Sequence, residues 1–147
     1  MATNGHGAKR MTTLRLVAGL LLGCVTAWAI MAAGFSLLRA MWPDYVLADP
    51  ENAFTLAMLF ARLSIFAALI AGAAGVATLV ARDGRAAWFA GGLILLLSLP
   101  PHLYYLWADY PAWYHFVYLL SILPIAAYSG RAVRRTLPGA FRAESAA

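Results

Sequence analysis

A chain of 147 residues that is 63% hydrophobic and 12% charged, with a mean hydropathy of +0.74, carries more apolar surface than a soluble domain of this size can hide. This argues against a soluble helix bundle and for contact with lipid. The net charge of +5 does not point to nucleic acid, because the basic residues gather at the ends of apolar segments, where they set orientation in a membrane.

The first apolar segment covers residues 16–38 and follows Lys9, Arg10 and Arg15. Basic residues before an apolar run are also the opening of a signal peptide. Ala27-Trp28-Ala29 resembles a small-residue cleavage site, and Leu21-Leu22-Gly23-Cys24 a lipoprotein processing site. The run continues past both to Leu38, which favours an uncleaved helix long enough to cross about 30 Å of hydrocarbon. Cys24, the only cysteine, permits no internal disulfide; it sits at the midpoint of this span, where its expected role is packing. Gly19, Gly23 and Ala27 recur every four residues and predict a face where another helix backbone comes close.

The connection that follows holds Arg39, Asp44, Asp49 and Glu51, one cation against three acids. Trp42-Pro43-Asp44-Tyr45 and Asp49-Pro50-Glu51-Asn52 read as turns at the membrane interface. The second segment, 53–80, is longer than an upright span needs. Starting it as an interfacial turn leaves Arg62 near the surface, where a cation costs less than at the bilayer centre. Glu51, Asp109 or another acid on that side is the expected partner of Arg62. Ala68 with Gly72, and Ala71 with Gly75, predict further close helix contacts.

Arg82-Asp83-Gly84-Arg85 is too short for anything but a hairpin turn, so the second segment and the third, 86–106, are antiparallel neighbours. Pro100-Pro101 should loosen the helix just before His102. The next connection, 107–111, is also short, so the fourth segment, 112–128, neighbours the third. His102 and His115 flank this connection at similar distance and should lie at one depth, among Tyr104, Tyr105, Asp109 and Tyr110. Pro124 should bend the fourth segment or require a compensating partner.

Arg131, Arg134, Arg135 and Arg142 make the end of the chain basic. With the basic start and an even number of spans, both termini are expected on the cytoplasmic side of a bacterial inner membrane. The predicted fold is all-α: a compact antiparallel bundle of four transmembrane helices over 11–135, with a short basic tail at 136–147. Residues 1–10 and the tail are expected to be poorly ordered.

Function is less legible. No phosphate-binding glycine loop, HExxH pair or cysteine pair is present. The residues proposed for ligand binding are Arg62, His102, Tyr105, Asp109 and His115. The two histidines and Asp109 could supply three metal ligands, but they lack tight ligand spacing, so no metal centre is assigned and the cofactor stays open. Hydrogen bonding within the fold accounts for the same histidines. The leading expectation is a non-catalytic accessory or assembly subunit in contact with lipid and with another membrane protein or a second copy of itself. Two alternatives stand beside it: small-solute transport or conduction by an oligomer, and a redox or quinone-binding component that uses the histidines.

Overall fold

The computed structural model describes residues 4–142 and contains helices joined by short turns. Helix α1 spans Asn4–Met41. It stops because Pro43 cannot continue the hydrogen-bond ladder; the Trp42 amide makes the closing bond to the Leu38 carbonyl at 3.0 Å. The short α2, Pro43–Ala48, runs into a 3-10 turn at Asp49–Glu51. Asn52 then takes a left-handed conformation (φ 53°), which asparagine tolerates better than most residues, and turns the chain back toward the bundle.

Thr55 caps α3, Leu56–Ala81, by accepting a hydrogen bond from the Met58 amide. Left-handed Arg82 ends α3, and the Asp83 carboxylate accepts from the Arg85 amide at 2.9 Å to start α4, Arg85–Pro100. A single π-helical turn, Pro101–Tyr105, extends α4. Helix α5, Ala112–Thr136, remains one helix through Pro124, and α6, Pro138–Arg142, follows it. Helix α1 thus begins before residue 10, and part of the expected tail is the helical α6; residues 1–3 and 143–147 lie outside the described residues.

Four stretches are long and apolar enough to span a membrane: Thr12–Met41, Leu56–Ala81, Arg85–Tyr105 and Ala112–Thr136. They form a four-span helical bundle with α3 at its centre, packed against α1, α4 and α5, while α4 also packs on α5. In the most apolar stretch of α3, 39% of residues are buried, against 11% in α1, which places α1 on the periphery.

Small residues set the helix spacing. A Cβ added at Gly19 would lie 2.7 Å from the Ala77 carbonyl oxygen, and one at Gly23 would lie 2.8 Å from that of Ala73. The first small-residue row is therefore the α1–α3 seam. On the other side of α3, Ser129 of α5 donates a 2.6 Å hydrogen bond to the Ala71 carbonyl, next to Gly75. Ile70, Ala74, Ala77, Ile122 and Ala126 fill the core without exposure. Cys24 is exposed, on the wall of a groove that α1 shares with Ala90 and Ile94 of α4. Successive helical residues are rotated by about 100°. With Gly23 in the seam, that rotation carries Cys24 off the α1–α3 contact.

Candidate functional site

The polar side chains proposed from sequence lie at the bundle end that carries α2 and the α4–α5 turn. Arg62 is in the second turn of α3, about 10 Å along the axis from its cap at Thr55. Its Nη1 donates to the Tyr45 hydroxyl at 2.6 Å, and its Nη2 to the Tyr110 hydroxyl at 2.9 Å. Tyr110 in turn donates to the Asn52 side-chain carbonyl at 3.3 Å. The Asp49 carboxylate stands 3.6 Å from Arg62 Nη1 and is held more tightly by Arg39, at 2.7 Å. Phe35, Phe54 and Tyr110 present ring faces to the guanidinium, with centroids 5.1, 4.6 and 5.3 Å away. Only 14% of the Arg62 side chain is exposed.

Burial pushes the hydroxyls of Tyr45 and Tyr110 above the usual tyrosine range, and the nearby Arg62 charge opposes that rise. Both stay neutral at physiological pH and serve as acceptors for the guanidinium. The arrangement solvates a cation with two phenols, aromatic faces and one shared carboxylate.

The acid that faces Arg62 is Asp49. Asp109 is exposed in the α4–α5 turn, and Glu51 is exposed on the 3-10 turn. Neither forms an ion pair with Arg62. Tyr105 points away from the bundle, 78% exposed. The two histidines do come together, with ring centroids 5.4 Å apart and planes nearly perpendicular.

The histidine pair depends on the two prolines. Pro100 and Pro101 supply no backbone N–H, so carbonyls in the preceding turn lose their donors, and the ladder widens into the π-helical turn. The widened turn brings the His102 ring back over the helix, where Nδ1 donates to the Ser98 carbonyl at 2.9 Å. A carbonyl only accepts, so this bond fixes the proton on Nδ1 and leaves Nε2 as the lone-pair nitrogen of the neutral ring. Tyr118 stacks on His102 at 4.6 Å and shares a 2.9 Å hydrogen bond with Ser98. Trp107 stacks on His115 at 4.9 Å.

His115 is fully buried, and neither of its ring nitrogens has a hydrogen-bond partner. Tyr114 faces the Arg62 guanidinium, yet its hydroxyl and Arg62 Nε both lack a completed hydrogen bond. Unpaired polar atoms inside a fold are costly. Tyr110 stacks on Tyr114 at 5.0 Å, and Tyr114 neighbours His115, so one aromatic column links the arginine cluster to the histidines. Among the described residues, no three His, Cys, Asp or Glu side chains group closely enough to hold a metal ion.

From sequence Tyr45 and Asp49 are turn residues, and nothing there singles out Trp107 or Tyr118. The available signals were spacing and position. Ser98 and His102 are four residues apart and His115 and Tyr118 three, which puts each pair on one helix face. Tyr45 and Asp49 flank a helix break on the same side of the membrane as Arg62. No family of proteins, curated protein or solved structure matches the chain.

Proposed function

We propose that this chain is a non-catalytic integral membrane protein, an accessory or assembly subunit in a bacterial inner membrane with both termini in the cytoplasm. The observation that carries this reading is the internal use of Arg62. The costliest charge in the spans is engaged by Tyr45, Tyr110 and Asp49, and it ties α2 and the α4–α5 turn to α3. A cation employed this way supports a shape rather than a reaction or a permeation path. The peripheral α1 meanwhile presents Leu14, Val17, Leu21 and Trp28 outward, an apolar face suited to lipid or to a helix of a partner. Gentle extraction followed by crosslinking and mass spectrometry tests the reading. The expected result is a second membrane polypeptide recovered in fixed ratio; recovery of this chain only as a free monomer would count against it.

A second reading, a component that binds a lipid-soluble quinone-like molecule, is favoured by the unpaired nitrogens of buried His115 beside the lone-pair Nε2 of His102. A hydroxyl group placed there would donate to a lone-pair nitrogen, and a carbonyl would accept from the protonated nitrogen of His115. Organic extraction of the purified protein, with ultraviolet spectra before and after chemical reduction, tests this. A stoichiometric reducible chromophore that His115→Phe abolishes is the expected result, and its absence from wild type sinks the reading.

A further inference from the structure

An open cleft of about 450 Å³ runs beside the arginine cluster, between α1, the 3-10 turn at Asp49 and α3 at Arg62. Its polarity is graded along α1. Met31 and Ala32 wall the part nearer mid-span, and Ser36, Arg39 and Asp49 line the part nearer the helix end, with Phe35 between them against the Arg62 guanidinium. From Met31 to Arg39 the helix rises about 12 Å. Two guanidiniums face one carboxylate, so the polar end carries a net single positive charge. Asp49 meets Arg39 through Oδ2 and faces Arg62 with Oδ1, and Arg39 keeps Nη1 outside that pair on a half-exposed side chain. This local excess is not inherited from its surroundings, because the same connection also contains Asp44 and Glu51.

We infer that this cleft binds the anionic headgroup of an amphiphile, with the phosphate or carboxylate at Arg39 and Ser36 and the hydrocarbon chain along Phe35 and Met31. A charged end near the membrane surface and an apolar wall directed inward match a lipid's own polarity. Asp49 is the competing internal anion: it holds both arginines when the cleft is empty and limits affinity when it is filled. This inference is independent of whether the protein has an assembly partner.

The test is native mass spectrometry of the full chain carrying Arg131→Gln and Arg135→Gln, which lowers anion binding by the basic tail at the other end. Phosphatidylglycerol, phosphatidylcholine and soluble glycerol 3-phosphate are the probes. Phosphatidylglycerol should be retained about fivefold more than phosphatidylcholine, the preference one basic group confers near a membrane. Arg39→Gln should abolish that preference, and Asp49→Asn should increase it. A folding defect would lower retention in both variants and cannot reproduce opposite signs. Met31→Trp, which fills the apolar wall and leaves every charge in place, should reduce retention by itself. Equal retention of the two lipids, an unchanged preference in Arg39→Gln, or displacement of the lipid by an equimolar amount of glycerol 3-phosphate would overturn the inference.

Discussion

Arg62 Nη1 donates a 2.6 Å hydrogen bond to the Tyr45 hydroxyl, joining residues seventeen apart in sequence across a helix break. Tyr45 is fully buried although α2 is only six residues long. A helix this short has little stability of its own. Its position therefore rests on this bond and on the Tyr45 ring against Phe54, with centroids 5.3 Å apart. The other terminal nitrogen of Arg62 reaches Tyr110 at 2.9 Å. One guanidinium thereby fixes the two connections at this end of the bundle.

Tyr45→Phe preserves the ring and removes an acceptor from a charged donor, so it should destabilise the folded chain by about 1.5–3 kcal/mol. Arg62→Lys should cost at least as much, because one ammonium cannot reproduce two directed bonds and a planar contact with Phe54. Thermal unfolding in a fixed detergent, followed by near-ultraviolet circular dichroism, measures both. Midpoints equal to wild type would show that the cluster does not hold α2.

The α1–α3 seam predicts opposite outcomes at two glycines. Gly23→Ala puts a methyl 2.8 Å from the Ala73 carbonyl oxygen, a backbone atom that moves only if the helices part. The expected cost is about 1–3 kcal/mol. Gly92→Ala, in α4, meets nothing within 4 Å and should be neutral or stabilise by up to about 1 kcal/mol through helix propensity. Equal effects from the two substitutions, in the same unfolding assay, would contradict the assigned seam.

The spans and their order were legible because each is a long apolar run ended by proline, glycine or charge. Gly19 and Gly23 also revealed the seam, since small residues every fourth position point to one side of a helix. The facing of the other residues was not legible. α1 is apolar around its whole circumference, so hydropathy alone does not separate Cys24, one residue from the seam, from a core position. The place of Arg62 near the start of its helix was legible too, but not the side it faces. The chain reversal at Asn52 brings Asp49 to it, while Asp109, at the same end, turns to solvent. The histidines were foreseen as a pair because the 107–111 connection is short; their stacking on Trp107 and Tyr118 depends on the π-helical turn, which two prolines suggest without fixing its form.

Ser129→Ala removes the hydrogen bond to the Ala71 carbonyl, the polar tie between α3 and α5. Interhelical bonds of this kind contribute about 0.6 kcal/mol on average. Combining Ser129→Ala with Tyr45→Phe should give additive losses, because one bond is at the α3–α5 seam and the other at the arginine cluster. A double variant that loses markedly more than the sum would reveal coupling between the bundle interior and its end.

His115→Phe tests whether the buried imidazole is there for the fold. Phenylalanine keeps a ring against Trp107 and removes two unsatisfied nitrogens, so the folded chain, free of any guest, should be as stable as wild type or more so. His102→Phe should instead destabilise, because it takes the Nδ1 donor from the Ser98 carbonyl. A loss of stability in His115→Phe equal to that in His102→Phe would show that the nitrogens are satisfied in the folded protein.

Alkaline titration should expose the neutral phenols around Arg62. Burial raises the pKa of Tyr45 and Tyr110, and the guanidinium only partly offsets it. In the unfolded chain both hydroxyls release their protons near pH 10. Above that pH the folded state binds more protons than the unfolded state, so the slope of unfolding free energy with pH is negative. Stability should therefore be level below about pH 10 with respect to these groups, and fall as pH rises from there through their higher folded values. Tyrosinate absorbance of wild type minus Tyr45→Phe, and of wild type minus Tyr110→Phe, isolates each hydroxyl. Both difference curves should have midpoints above the unfolded value. A midpoint below it would mean that the Arg62 charge outweighs burial, and stability would then rise with pH through that transition.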